Sequence, residues 1–104
     1  MTQFEMNNCA NSDRDQALSE LDALVFRLPL EGQHRVDFDR IQATWLDQVR
    51  ESCSFLYGRV ITDDQGGLHY ERGSMAPMLR AMCETEQIWN RIDELTWAYL
   101  TPES

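Results

Sequence analysis

The stretch from Met75 to Leu100 constrains the fold of this chain more than any other. Pro77 stands at its start, and no further glycine or proline occurs before Pro102. Proline suits a first helical turn, where its missing N–H would have no intrahelical partner. Met78, Ala81, Met82, Thr85, Ile88, Trp89, Ile92, Leu95, Thr96 and Tyr99 recur at three- and four-residue spacing. That spacing predicts one long amphipathic helix with a wide apolar stripe. Arg80, Glu84, Gln87, Arg91 and Glu94 fall on the opposite side. Leu79 and Trp97 lie together on a flank of the stripe, with Cys83 nearby. Either the rest of the domain covers that flank, or another chain does.

Two more helices are expected upstream. Ser12 can cap a helix whose first turn holds Asp13 and Asp15, close to the positive end of the helix dipole. Its stripe is Ala17, Leu21, Leu24 and Leu28, widened by Leu18 and Val25, and Pro29 ends it. Phe26 points outward, and exposed aromatic side chains are a residue type that anchors interfaces. Leu30 to Val36 reads as a connector. Asp37 then caps a second helix from Phe38 to Tyr57, stopped by Gly58. Its stripe is Phe38, Ile41, Trp45, Val49, Ser52 and Leu56, and Phe38 and Trp45 should form an aromatic core with Trp89. Between the second and third helices, Arg59–Thr62 and Leu68–Arg72 flank the turn-rich Asp63-Asp64-Gln65-Gly66-Gly67, a β-hairpin by composition. The expected fold is mostly α with a small hairpin: three helices, the C-terminal one longest. Residues 1–11 are expected to be a flexible tail and 12–104 a single helical domain.

Composition narrows the function. A chain of 104 residues with 42% hydrophobic residues can form one modest core. No apolar run approaches the roughly 20 residues of a membrane span. The N-terminus lacks the basic and apolar regions of a signal peptide, so a cytoplasmic location is expected. Cys9, Cys53 and Cys83 are odd in number and widely spaced, which reads as reduced thiols. The net charge is −9 and every basic residue is arginine. Direct nucleic-acid binding is disfavoured, because phosphates call for a basic face. Acidity either keeps the chain soluble or draws it to basic protein surfaces.

Chemistry is sparse. The Asp63–Gly67 turn lacks the alternating oxygen ligands of a calcium loop. Gly66-Gly67 is not followed by the lysine of a phosphate loop. His34 and His69 have no metal-ligand partners at the usual spacing. A Cys–His nucleophile would need Cys53 or Cys83 brought to His69 by folding. Glu84 and Glu86 point to different faces. The expectation is a non-enzymatic domain with no cofactor and no metal, which acts by binding another protein. The candidate interface residues are Leu79, Trp97, Leu100, Phe26 and Cys83. Two helices of roughly 20 residues would span about 30 Å each. That length makes homodimerisation through the last helix attractive.

By size, acidity, helical pattern and the Trp-rich segment Gln87 to Trp97, the chain resembles the small anti-activators of the QslA type, which bind LuxR-type quorum-sensing receptors. The resemblance implies a regulator as partner, whose dimer an intruding helical face disrupts. Even spreading of the acids over the three helices favours such an apolar face over phosphate mimicry. The alternatives are a phage-type inhibitor of a defence complex, a toxin-immunity protein, or a secretion chaperone, each acting through the acidic surface.

Overall fold

Three long helices lie side by side in the computed structural model, which describes residues 1–101. They are α1 (Gln3–Arg27), α2 (Gly32–Tyr57) and α3 (Ala76–Leu100). A two-stranded antiparallel hairpin, β1 (Val60–Thr62) and β2 (Leu68–Tyr70), joins α2 to α3. A 3₁₀ turn at Gly73–Met75 runs straight into α3, and together they form the longest continuous helical run. The mostly α architecture and the position of the hairpin match the expectation from sequence. The last three positions of the domain expected over 12–104 lie outside the described residues.

The first helix starts earlier than Ser12. Thr2 is its N-cap: its hydroxyl accepts from the Glu5 N–H at 3.1 Å and donates to the Glu5 carboxylate at 3.2 Å. This N-cap draws the expected tail into the helix from Gln3 onward. Ala10 is buried, and Gln3 reaches Met78 on α3. Residues 3–11 are therefore helical, with Ala10 as their buried contact. At the other end Pro29 stops the helix as expected. Arg35 of α2 then caps it, donating to the Val25 and Leu28 carbonyls at 3.0 and 2.9 Å. Those are carbonyls that the end of a helix leaves unpaired.

The second helix also starts early, at Gly32, so most of the expected connector is helical. Asp37 lies inside it and accepts from Gln33 at 2.9 Å instead of capping. Gly58 ends it, donating its N–H to the Ser54 carbonyl at 2.8 Å. The hairpin pairs Val60 with Tyr70, Ile61 with His69 and Thr62 with Leu68. Asp63 Oδ1 accepts from the N–H groups of Gln65 and Gly67 and so shapes the turn. Arg59 lies over the Phe55 ring and Arg72 over the Tyr57 ring. These contacts tie the hairpin to the end of α2.

The helix α3 is central. It packs most extensively on α1, which runs parallel to it, and on α2, which runs antiparallel. The molecule measures 59 × 30 × 20 Å with a radius of gyration of 17.1 Å. A compact chain of this length would have about 13 Å. The elongation follows from helices of 25 residues or more, each about 38 Å long, arranged as a layer.

Two kinds of packing hold that layer. Towards the C-terminal ends of α1 and α3, Ala17, Leu21, Leu24, Leu28, Phe38, Ile88 and Leu95 form the buried cluster. The full α1 stripe expected from sequence is in it. Towards the other end, Ala10, Ala76 and Ala81 are buried, and short side chains let the backbones approach. There the bond between Cys53 and Cys83 links α2 to α3 across 5.7 Å between Cα atoms. The expectation of three reduced thiols is corrected: only Cys9 is free. Two cysteines far apart in sequence sit at facing positions because α2 and α3 run antiparallel.

Candidate protein-binding face

The stripe that buries α3 is rotated from the one expected. Ala81, Glu84, Ile88 and Leu95 are buried, whereas Met82, Trp89 and Tyr99 are 54%, 38% and 41% exposed. Glu84 and Arg91 were assigned to the solvent side, and neither is there. Glu84 is held by Arg14 of α1 at 3.3 Å. Arg91 lies over the Trp45 ring at 5.2 Å and donates to Gln42 at 3.0 Å. A helix flanked on two sides buries polar residues wherever a neighbour satisfies them. Phe38 meets Tyr99 edge-on at 6.3 Å, so the aromatic core expected from Phe38, Trp45 and Trp89 does not form as such.

Rotation of the core leaves the outer side of α3 uncovered. Leu79, Met82, Glu86, Trp89, Asp93, Trp97 and Leu100 follow one another at three- and four-residue steps along it. At its N-terminal half this side becomes the floor of a groove of about 590 Å³ between α1 and α2. Ala10 and Asp13 form one wall, Leu56 and Tyr57 the other, and Leu79, Met82, Cys83 and Glu86 the floor. On the opposite side of the layer a smaller groove, about 420 Å³, is lined by Arg14, Arg50, Arg80 and Glu84. The two sides of α3 therefore differ in chemistry: one apolar with acids, the other an arginine-rich cleft around a paired carboxylate.

The candidates named from sequence divide accordingly. Leu79 and Cys83 are half-buried in the apolar groove, Cys83 with its sulfur bonded to Cys53. Trp97 is 76% exposed and Leu100 41% exposed at the far end of the same face. Phe26 stands apart on α1, 87% exposed, beside Asp22, Val25, Arg35 and Asp39. Sequence reasoning missed Met82, Trp89 and Leu56, which it placed in the core. Their helical spacing is the same whichever of two neighbouring stripes is buried. The positions of Ala76 and Ala81 were the available signal, since small residues mark where backbones come closest.

The reactive options considered from sequence are resolved by the same geometry. Cys53 and Cys83 carry no thiol while bonded to each other, so neither can serve as a nucleophile with His69. The His69 ring nitrogen Nδ1 lies 4.0 Å from the Asp63 carboxylate on the exposed hairpin. What the surface offers is shape, apolar area and carboxylates at fixed spacing.

Comparison with known proteins replaces the resemblance drawn from sequence. The family model for LprI, described as lysozyme inhibitor LprI, matches residues 1–95. No curated protein and no solved structure matches the chain. The match covers α1, α2, the hairpin and α3 as far as Leu95. It overturns the QslA-type reading and, with it, the LuxR-type receptor, quorum sensing and transcription regulation. That reading rested on size, acidity and a Trp-rich helix, which many small helical binding proteins share.

Proposed function

Because the chain belongs to the LprI family of lysozyme inhibitors, we propose that it is a protein-binding inhibitor of a lysozyme. The match over residues 1–95 carries this reading. Inhibition on this account is steric. The inhibitor binds the folded lysozyme and keeps it from peptidoglycan, with no bond made or broken. Lysozymes work through two carboxylates that flank the sugar bond, in a cleft that a bound protein can block or distort.

Three features of the molecule support the reading. Helices α2 and α3 are cross-linked and α1 is capped at both ends, so a binding surface is presented with little ordering left to do on association. The net charge of −9 favours fast capture of a basic enzyme. The Cys53–Cys83 bond supports action in an oxidising compartment, where lysozyme meets the cell wall, over the cytoplasmic location expected from the N-terminal sequence.

The test is clearing of a peptidoglycan suspension by chicken-type, goose-type and phage-type lysozymes, with and without the purified oxidised chain. Slowed clearing for at least one enzyme is expected. Unchanged clearing for all three at large molar excess overturns the proposal.

A further inference from the structure

We propose that the outer face of α3 is the surface that takes the lysozyme, and that it fits a basic patch flanked by apolar side chains. Leu79, Met82, Trp89, Trp97 and Leu100 supply the apolar contacts, with Glu86 and Asp93 set among them. The inference rests on the lysozyme-inhibitor reading and adds which surface acts and what it recognises.

The charge pattern selects the occupant. Glu86 and Asp93 are exposed and stand at positions that the helical repeat would otherwise give to apolar side chains. They are seven residues apart, which places them about 10 Å apart on one side of the helix. A second copy of this chain is a poor occupant. In-register pairing of two α3 faces in either direction sets acid against acid, between molecules that each carry −9. A partner with two arginine or lysine side chains at that spacing matches both the charges and the flanking apolar surface. The self-association expected from helix length is set aside on this ground.

The rest of the face has the character of a contact surface. Trp97 is 76% exposed, Met82 54% and Leu100 41%. Tryptophan and methionine are enriched at the centres of protein interfaces. The groove at the N-terminal half, with Leu56 on its wall, offers a recess for a side chain of the partner. Asp13 on the other wall adds a third acid beside it.

The test is calorimetric titration of the oxidised chain against the three lysozymes named above. Two double variants probe the face, Glu86→Arg with Asp93→Arg and Met82→Ser with Trp97→Ser. A milder pair, Glu86→Gln with Asp93→Asn, keeps side-chain shape in case the reversals disturb the helix. A fourth variant, Asp64→Arg with Leu68→Ser, alters only the hairpin. Circular dichroism confirms the helical content of each. The face variants are expected to weaken binding about thirtyfold or more, the loss typical of interface anchors. Both charge variants should also flatten the salt dependence of Kd, and the hairpin variant should bind as the parent does. Parent-like binding by the face variants, or loss of binding through the hairpin variant alone, overturns the assignment of the face and leaves the inhibitor reading standing. Failure of the parent chain to bind any of the three overturns both.

Discussion

Removing the Cys53–Cys83 bond is expected to destabilise the fold by an amount the structure allows to be worked out. The bond closes a loop between residues separated by 30 positions, which contains the end of α2, the hairpin and the start of α3. Chain-entropy scaling for such a loop gives about 3.5 kcal/mol. A domain of this size has a total stability of only about 5–15 kcal/mol. The double variant Cys53→Ala with Cys83→Ala is the cleaner probe, because Cys53 is 1% exposed and serine would bury a hydroxyl there. Melting temperature should fall by about 15–25 °C. In urea the midpoint should drop while the slope rises, since an uncross-linked chain exposes more surface when unfolded. Reductant should produce the same shift in the parent chain and none in the variant. An unchanged midpoint in reductant would refute the cross-link as a stabilising element. It would also remove the main support for an oxidising compartment.

Other outcomes follow from single contacts. Titration of native, oxidised protein with a thiol reagent should find one reactive group, Cys9, and the reduced unfolded chain should show three. Glu84→Ala should cost about 2 kcal/mol in urea unfolding. The figure lies below that for a fully buried pair because Arg14 is 23% exposed and keeps Asp15 as a second partner. Replacing both Arg14 and Glu84 by leucine should recover most of that loss. Trp97→Ala should change stability by less than about 0.5 kcal/mol, as an exposed side chain does, while weakening lysozyme binding. A large fall in melting temperature with binding retained would make Trp97 part of the core instead. Thr2→Ala should cost about 1 kcal/mol and fray the first turns of α1, seen as faster amide exchange there.

Much of the architecture was legible in the sequence. The α1 stripe Ala17, Leu21, Leu24 and Leu28 was assigned residue by residue, because that helix buries one face against one set of partners. Pro29 and Gly58 marked helix ends for backbone reasons that need no tertiary information. The hairpin was written in Asp63 to Gly67. What escaped was set by long-range contacts or by competing local signals. Thr2 caps the helix through the Glu5 N–H at ordinary spacing, yet Ser12 offered a second start whose acidic first turn fitted equally well. Asp37 looked like a cap, but Arg35 reaching back to Val25 and Leu28 rewards a helix that begins sooner.

The candidate site was partly legible for the same reason. Leu79 and Trp97 were singled out because they fell off the predicted stripe, and Leu100 because a dimer through the last helix would cover it. Met82 and Trp89 were not, because α3 is packed on two sides and its buried centre is Ala81, Glu84 and Ile88. A buried glutamate is invisible to a hydrophobic pattern until its arginine is located on another helix. The cysteine pairing was hidden likewise, since it depends on α2 and α3 meeting antiparallel with Cys53 opposite Cys83. The family itself could not be read from composition, which does not separate a receptor anti-activator from an enzyme inhibitor.

The most direct measurement is a titration of residual lysozyme activity against the purified, oxidised chain, followed by clearing of peptidoglycan. Activity should fall in proportion to added chain and level off near one chain per enzyme, with the Glu86→Arg, Asp93→Arg variant far less effective. Full activity for every lysozyme of the panel across the whole titration would contradict the account.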